Sequence, residues 1–460
     1  MMQLYNSAAR SKELFTPRSP SEVGMYNCGP TVYDYAHIGN LRSYISADLF
    51  RRSFEFNGFT VKQVINITDV GHLTDDGDDG DDKVERRARA EKKSADEITN
   101  FFTSAFLSDL TSLNIQTEQV LFPKATDHIP EQIELIERLE KKGLTYRTSD
   151  GIYFNTAKLS SYDVFNAVGE RLMKGARVEI NSEKHLHTDF ALWKFSPEKE
   201  KRQQEWDSPW GVGFPGWHLE CSAMSMKYLG ESFDVHTGGI DHKFPHHPNE
   251  IAQSESVTGK PLARYWLHTE FLSVNGRKMA KSDGTFITLQ DITEKGFSPL
   301  DLRYLLLTAH YRTPVNFTWE ALQGAQNASR RLKGAVLSLE SKAAEVHRGY
   351  RDALGEAVND DFDSPKVIAL LWELIKDRGV KRDIKRSTVE LFDSVLGLSL
   401  TEAEDEQISV PPTVQALLKK RTAARTAKDW ETSDSLREEI RAHGFDVKDT
   451  DNGQTVTPAL

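Results

Sequence analysis

Cysteine is scarce in this chain, which has only Cys28 and Cys221 among its 460 residues. A single pair in a chain of this length cannot form the disulfide framework of a small secreted fold. The default interpretation of each cysteine is a buried thiol that packs like a small apolar side chain. A metal-binding role for either one therefore needs support from other residues.

Long apolar runs and an excess of positive charge are missing too. No segment approaches the ~18 apolar residues that a membrane-spanning helix needs. The opening residues, MMQLYNSAARSKELF, also lack the apolar core of a signal peptide, so the sequence predicts a cytoplasmic protein. The formal net charge of −11 argues against nonspecific coating of nucleic acid, but it is compatible with a local basic face.

The total length of the chain predicts two to four domains. Its first part has a strand–helix–strand pattern. VGMYNC predicts a strand that ends at Cys28, LRSYISADLFRRSFEFNG a helix that ends at Gly58, and TVKQVINITDV the next strand. The turn-rich GPTVYDYAHIGN lies between the first strand and the helix. A strand, a Gly/Pro loop and a helix N-terminus together form a layout that is typical of nucleotide binding.

The middle of the chain interrupts this pattern and then resumes it. Residues 95 to 145 have helical periodicity, and GIYFN and DFALWKF are typical of strands, which predicts an insertion between two halves of a sheet. The sheet pattern then returns. PGWHLECSAMSMKYLG predicts a helix, FDVHTGG a strand, HHPNEIAQSESV a helix, and Asn275-Gly276 the turn of a hairpin.

The last third of the chain has a different character. From about Pro299, amphipathic segments such as DLRYLLLTAHY and SPKVIALLWELIKD predict a helical bundle. The acidic, proline-ended TEAEDEQISVPP is typical of a linker. A basic helix, VQALLKKRTAARTAKDW, and a short extended tail follow it.

The segment DHKFPHHPNE, from Asp241 to Glu250, concentrates metal-binding chemistry. His246 and Glu250 are four residues apart and share one face of the predicted helix. Thiolate, imidazole and carboxylate are all normal zinc ligands. The spacing alone leaves the other ligands open.

Two short motifs resemble the signatures of class I aminoacyl-tRNA synthetases. HIGN, from His37 to Asn40, is similar to their HIGH element, and KMAKS, from Lys278 to Ser282, to their KMSKS element. The resemblance implies that both bind ATP. Adenylate formation builds negative charge on the phosphates, and lysines, a histidine and a helix N-terminus can meet that charge.

Within class I, five blocks resemble the cysteinyl-tRNA synthetase family, from about residue 4 to about residue 453. They are MYNCGPTVYDYAHIGN, NITDVGHL, GWHLECSAM, FDVHTGGIDHKFPHHPNEIAQSE and RTAARTAKDWETSD. The resemblance implies a cysteine–tRNA ligase that activates L-cysteine with ATP to cysteinyl-adenylate. The enzyme would then transfer cysteine to the 3′-terminal adenosine of cysteine tRNA.

The resemblance also implies site residues and cofactors. One zinc ion per chain would bind the substrate thiolate, ATP would be used with Mg²⁺, and the protein is expected to be a monomer. His247 and His242 are expected to have supporting or solvent-facing roles. The implied zinc ligands are Cys28, Cys221, His246 and Glu250.

Matching block by block assigns residues to the substrates. The catalytic residues are His37, Asn40, Lys278 and Lys281. The ATP-binding residues are His37, Gly39, Asn40, Gly238, Gly239, Asp241 and Lys281. The cysteine-binding residues are Thr68, Trp217 and His236; for Trp217, a place in the core is an equally good interpretation.

The C-terminal block supplies residues for the anticodon. Five basic residues and no acidic one lie between Lys419 and Lys428, and a basic helix with aromatic and arginine side chains suits unstacked bases. Without the resemblance, a solvated basic face would be the simpler interpretation. The positions that match are Arg425, Trp430, Asp434 and Asp449.

The predicted fold is α/β, with a class I Rossmann-type parallel sheet that carries an insertion. The expected segments are the first catalytic half at 1–125, the connective insertion at 126–212, the second half with the KMAKS loop at 213–298, a helical bundle at 299–400 and an α+β anticodon-binding domain at 401–460. Two other functions share parts of this pattern. A cysteine ligase of thiol-cofactor synthesis would lack the C-terminal block, and a non-catalytic zinc-stabilised RNA-binding paralogue would have lost parts of HIGN or KMAKS.

Overall fold

The computed structural model describes two compact units of the chain. They comprise residues 1–272 with 311–314, and residues 273–310 with 315–460. The five predicted segments are a finer division, which stays a prediction. The residues described are 1–71, 73, 82–160, 162, 164–165, 183–197, 202–279, 284–339, 345–402, 412–443, 445–450 and 453–458.

The first unit alternates strands and helices. In chain order they are β1 (Gln3–Asn6), β2 (Ser11–Leu14), β3 (Glu22–Asn27), α1 (Ile38–Phe56), β4 (Thr60–Ile65), α2 (Lys83–Glu91), α3 (Ala95–Ser112), β5 (Val120–Leu121), α4 (Ile129–Lys141), β6 (Thr145–Arg147), β7 (Gly151–Phe154), β8 (Phe190–Phe195), β9 (Gly213–Pro215), α5 (Trp217–Leu229), β10 (Phe233–Gly239), α6 (His246–Thr258) and β11 (Ala263–Thr269).

The main sheet is parallel and has the strand order β11–β10–β3–β4–β5. The chain leaves β3 for β4 on one side and returns as β10 on the other, so the order reverses at β3. Ligands of open parallel sheets bind at the carboxyl ends of the strands where such a reversal occurs. Cys28 directly follows β3, and Gly238 and Gly239 end β10. The predicted Rossmann-type sheet is therefore confirmed, and Cys28, Gly238 and Gly239 lie at this edge.

Helices α5 and α6 pack against each other, and α5 also contacts strands β3 and β4 of the sheet. Their contact includes a buried hydrogen bond from Ser222 Oγ to Gln253 Oε1, at 2.6 Å. Cys28 and Cys221 lie in one core cluster with Tyr26 and Met224. Both thiols are buried and unbridged, so neither forms a disulfide.

The stretch from residue 95 to 145 that was predicted to be helical contains two helices with a strand between them. Helix α3 ends at Ser112 and α4 begins at Ile129, and strand β5 lies between them. Asn114 adopts a left-handed φ of 52°, a backbone conformation that an α-helix cannot contain and that asparagine tolerates. A separate antiparallel sheet, β6–β7–β8–β9, follows, and it contains the strands predicted for GIYFN and DFALWKF.

The second unit is mainly helical. Its elements, the first of which begins one residue before the unit, are β12 (Leu272–Val274), β13 (Arg277–Lys278), α7 (Leu289–Glu294), α8 (Pro299–Leu307), β14 (Val315–Phe317), α9 (Trp319–Leu337), α10 (Arg348–Asn359), α11 (Ser364–Lys376), α12 (Arg382–Leu396), α13 (Pro412–Thr426), α14 (Trp430–Ala442), β15 (Phe445–Thr450) and β16 (Gly453–Pro458).

The predicted hairpin at Asn275 and Gly276 is confirmed. Strands β12 and β13 pair antiparallel across these two residues, whose φ angles are 50° and 74°. Positive φ at both central positions is the signature of a tight two-residue hairpin turn. Lys278 of KMAKS is exposed in β13, whereas Lys281 lies outside the described residues. Within the described part of the chain, none of the helices has the length and apolar character needed to cross a membrane.

Candidate metal centre and substrate sites

Four side chains predicted as metal ligands meet at the carboxyl edge of the parallel sheet. Cys28 follows β3, Cys221 lies on α5, and His246 and Glu250 lie one turn apart on α6. All four are buried, and their ligand atoms all lie within 4.8 Å of one another. Burying a carboxylate, an imidazole and two thiols together is costly unless they share a partner. The cluster therefore has the composition of a zinc site.

One nitrogen of the cluster lacks a hydrogen bond. Glu250 Oε1 lies 3.2 Å from His246 Nε2 and 3.7 Å from Cys28 Sγ. His246 Nε2 is buried. Although it lies close to Glu250 Oε1, it makes no hydrogen bond of acceptable geometry to the described residues. Buried polar atoms are normally satisfied, and an imidazole nitrogen aimed at two thiols and a carboxylate fits metal coordination.

The ionisation of the cluster favours cation binding. Burial raises the pKa of the Cys221 thiol, but the hydrogen bond with Cys28 and the His246 ring outweigh it and lower that pKa to about 6. Burial lowers the pKa of His246, whereas Cys221 and Glu250 raise it, to about 10. Burial acts to raise the pKa of the Glu250 carboxyl, but His236 and His246 hold it well below its usual range. Without a metal, one protonated ring thus faces a thiolate and a carboxylate, which leaves the cluster with a net negative charge.

A second set of potential ligands shares two members with the first. Cys28 and Glu250 also group with His236 and His247, and all four are buried. His236 Nε2 lies 2.8 Å from Glu250 Oε2. His247 Nε2 lies 3.3 Å from Cys28 Sγ, and its Nδ1 lies 2.8 Å from His268 Nε2. The Nε2 atoms of His236 and His247 already have hydrogen-bond partners, whereas His246 Nε2 has none among the described residues. The set with His246 and both thiols is therefore the better metal site.

The sequence analysis missed several of these histidine contacts. His247 has no contact with solvent, contrary to one of the two expectations for it, and His268 on β11 was not predicted at all. His218 was also missed, and its Nδ1 lies 2.9 Å from His246 Nδ1. His218 lies in the GWHLECSAM block and His247 in the DHKFPHHPNE segment, whereas none of the quoted motifs contains His268.

The predicted cysteine-binding residues border this cluster. The half-buried Trp217 ring lies 4.6 Å from the His246 ring, centroid to centroid. Thr68 is 2 % exposed, and its Oγ1 accepts a hydrogen bond from Asn66 Nδ2 at 3.0 Å. His236 contacts Glu250 as described above.

The HIGN motif forms the start of α1. His37 is the N-cap residue, and its Nδ1 accepts a hydrogen bond from the Asn40 backbone N–H at 3.0 Å. In return, Asn40 Oδ1 accepts from the His37 backbone N–H at 3.2 Å. Burial lowers the pKa of His37, although Asp241 opposes this shift. Gly39 lies between the two cap residues, so the motif presents the N-terminus of a 19-residue helix.

The end of β10 is too crowded for side chains. A Cβ atom at Gly238 would lie 2.4 Å from His242 Nδ1 and 3.0 Å from the His247 ring. A Cβ atom at Gly239 would lie 2.2 Å from Asp241 Oδ1. The Asp241 side chain is exposed and can move, so these contacts hold only Gly238 to glycine, which keeps the backbone open to close approach there.

In the C-terminal part, Asp449 is the centre of an arginine cluster. Arg421, which is fully buried, binds both of its carboxylate oxygens, at 3.0 and 3.1 Å. Arg425 lies 2.9 Å and Arg437 3.3 Å from Oδ2. The guanidinium of Arg425 also lies 5.6 Å from the centroid of the Trp430 ring.

The other two predicted anticodon residues lie on α14. Trp430, which begins the helix, is 56 % exposed. Asp434 is exposed and pairs with Arg437 at 3.7 Å. The structure therefore brings all four predicted residues around one cluster, together with Arg421 and Arg437, which the sequence analysis missed.

Family models match most of the chain. Residues 14–327 match the family described as tRNA synthetases class I (C) catalytic domain. Residues 409–456 match the Cysteinyl-tRNA ligase anticodon binding domain.

Curated relatives and solved structures agree with these matches. The chain is 47 % identical over 455 residues to Cysteine--tRNA ligase 1 of Burkholderia lata, covering 98 % of this chain and 96 % of the relative. It is 41 % identical over 481 residues to Cysteine--tRNA ligase of Treponema denticola, covering 97 % and 98 %. A Mycobacterium tuberculosis methionyl-tRNA synthetase in complex with methionyl-adenylate shares the fold, with a TM-score of 0.53 and 14 % identity over 82 % of this chain and 90 % of that one. So does the LeuRS of an Agrobacterium radiobacter ternary complex, with a TM-score of 0.57 and 11 % identity over 85 % and 86 %.

The parallel sheet, the HIGN-capped helix and the catalytic-domain match define a class I aminoacyl-tRNA synthetase. Within that class, the chain belongs to the cysteine–tRNA ligase family, because relatives of that name are more than 40 % identical over nearly its whole length.

Proposed function

We propose that this protein activates L-cysteine with ATP to cysteinyl-adenylate and transfers the cysteine to the 3′-terminal adenosine of cysteine tRNA. The observation that carries the proposal is the buried cluster of Cys28, Cys221, His246 and Glu250 in a chain of this family. The protein would act in the cytoplasm and as a monomer.

In this proposal the cluster holds one zinc ion. The donor set of two thiols, an imidazole and a carboxylate is normal for zinc, and His246 Nε2 is a buried nitrogen that makes no hydrogen bond to the described residues. When bound, zinc supplies a soft Lewis acid that favours a thiolate over a hydroxyl, and this difference separates cysteine from serine. A pocket that selected by size alone would gain only ~1–3 kcal/mol from such a small difference.

The side chains around the cluster would position the amino acid. Trp217, whose ring lies beside His246, supplies an apolar wall. Thr68 offers a hydroxyl at the end of β4, and His236 keeps the Glu250 carboxylate oriented through its 2.8 Å contact. These groups select and orient cysteine, and no covalent intermediate with the enzyme is needed.

ATP, accompanied by Mg²⁺, would bind at the HIGN motif and the end of β10. Because His37 Nδ1 accepts a hydrogen bond, the neutral ring carries its proton on Nε2. That N–H can donate to a phosphate oxygen, and the N-terminus of α1 adds a favourable dipole. Gly238, Gly239 and Asp241 would contact the adenosine. Lys278 and Lys281 of KMAKS would stabilise charge on the departing pyrophosphate.

The C-terminal cluster would read the anticodon. Trp430 provides an exposed ring for stacking of an unpaired base, with Arg425 beside it. Asp434 and Asp449 match positions that the family uses for the anticodon. Asp449, however, already binds three arginines, so its main role would be to hold Arg425 and Arg437 in position.

Replacing Asp449 with asparagine is therefore expected to lower kcat/KM for tRNA about ten-fold, because charge-assisted hydrogen bonds contribute ~1.5–3 kcal/mol. Cysteine-dependent pyrophosphate exchange should not change. The matched control is Asp446→Asn on the same strand, since Asp446 pairs only loosely with Arg441, at 3.5 Å. Equal tRNA kinetics for both variants and the parent would contradict the role given to Asp449.

Attachment of radiolabelled cysteine to cysteine tRNA in the presence of ATP tests the proposed function as a whole. The expected result is ATP-dependent charging with cysteine, and no charging with serine at the same concentration. If cysteine is activated but passed to a small amino-sugar instead of tRNA, the thiol-cofactor alternative is correct.

A further inference from the structure

An aromatic cluster beside the start of α1 has no role in the proposed mechanism. Tyr35, two residues before the helix cap His37, packs edge-on against Phe101 and Phe102 of α3, with ring centroids 6.1 and 5.1 Å away. Phe102 is buried, but Phe101 is 52 % exposed. Leaving half of a phenylalanine in water gives up part of the stabilisation that burial would bring. A ligand that covers the Phe101 ring would recover this stabilisation.

Cations surround these rings. Between Lys83 and Lys93 the chain has six basic residues and two acidic ones. The Arg87 guanidinium lies 5.2 Å from the Phe102 ring centroid, and the Lys93 ammonium 5.9 Å from that of Phe101. We call Tyr35, Arg87, Lys93, Phe101 and Phe102 together the Phe101 surface.

The acidic residues at the start of α2 face the interior. Asp82 caps the helix and accepts from Arg202 at 2.7 Å. Glu85 Oε1 accepts from the backbone N–H groups of Gln203 and Gln204, at 2.7 and 3.1 Å. Both carboxylates are buried, so these two negative charges are used to anchor α2.

On the outer face of α2, Glu91 pairs with both Arg87 and Lys93, at 2.5 and 2.8 Å. The exposed Arg86, Arg89 and Lys92 still leave this face with a surplus of positive charge.

We propose that the Phe101 surface binds the single-stranded 3′ end of the tRNA, with an unpaired base stacked on Phe101 and phosphates held by Lys93 and Arg87. The inference rests on the proposed function, since that reaction must bring the terminal adenosine to an adenylate next to the N-terminus of α1. Tyr35 links the surface directly to that helix start. Aromatic rings with neighbouring cations are suited to single strands, because unstacked bases expose their faces.

A second pairing of this kind supports the choice of ligand. In the predicted anticodon region, the exposed ring of Trp430 lies beside Arg425, at 5.6 Å. A base-paired helix offers no free base faces for such stacking. The single-stranded end is therefore a better occupant than the acceptor duplex.

The test uses the full chain and a fluorescent RNA hairpin that has the sequence of the acceptor arm. One hairpin carries the single-stranded 3′ extension, and its partner lacks it. Binding anisotropy should show about ten-fold tighter binding of the extended hairpin by the parent, on the scale of one stacked base. Phe101→Ala should abolish this preference, and Phe101→Tyr, which keeps a ring, should retain it.

The matched control is Leu14→Ala, which removes a 50 % exposed apolar side chain from β2 of the same unit; it should behave as the parent. Pyrophosphate exchange should be equal in the parent and in the Phe101→Ala, Phe101→Tyr and Leu14→Ala variants. If the parent itself shows no exchange, the proposed function is overturned, but the proposal for the Phe101 surface is not. A Phe101→Ala variant that still prefers the extended hairpin overturns the proposal. A parent without any preference does so too.

Discussion

Replacing Cys221 with serine is expected to lower the affinity for zinc at least about 100-fold, since loss of even a supporting hydrogen bond to a metal ligand typically costs 10–100-fold. Serine keeps the size of the side chain but removes the soft thiolate. The pKa of the Cys221 thiol, at about 6, makes it ionised at neutral pH, which a serine hydroxyl is not. Metal content after dialysis against a weak chelator measures the effect without reference to activity.

His247→Asn is the matched comparison for this experiment. His247 belongs to the alternative ligand set and touches Cys28, but its two ring nitrogens already have partners. The His247→Asn variant should retain one zinc per chain, with at most a moderate loss of affinity for zinc. The opposite pattern, with zinc lost on changing His247 and kept on changing Cys221, would move the metal to the alternative set.

Replacing His37 with asparagine is expected to slow adenylate formation about 100-fold, or ~3 kcal/mol, as for other lost stabilisers of transition-state charge. Asparagine is a good helix N-cap, so α1 should keep its start. What disappears is the Nε2–H that the neutral ring presents. Single-turnover formation of adenylate, followed by the release of pyrophosphate, measures the effect.

The comparison with His37→Ala separates the two roles of this residue. Alanine removes the cap as well, at a cost of ~1 kcal/mol of stability. Thermal unfolding should therefore distinguish the alanine from the asparagine variant, while both are slow in the chemical step. If the asparagine variant forms adenylate at the parental rate, His37 is only a helix cap.

The parallel sheet and its site could be predicted because the signals are local. The strand before Cys28, the glycines at the end of β10 and the spacing of His246 and Glu250 are all visible in short segments. The resemblance then supplied the two cysteines. The structure brings these four side chains together, and their assignment as metal ligands stays a prediction until metal is measured.

Contacts that depend on tertiary packing could not be predicted in this way. His218 contacts His246 from α5, and His268 contacts His247 from β11. Neither helical nor strand periodicity indicates such partners. The interruption between α3 and α4 was missed because β5 has only two residues. The buried Arg421 belongs to a basic helix, where the simpler expectation is a solvated side chain.

Cysteine-dependent exchange between ATP and pyrophosphate, measured without tRNA, tests the central claim most directly. The account predicts exchange that requires cysteine, is weak with serine, and is lost when zinc is removed and restored when it is returned. Exchange that proceeds equally with serine, or that is unaffected by removal of the metal, would contradict the claim that the Cys28, Cys221, His246 and Glu250 cluster selects the amino acid.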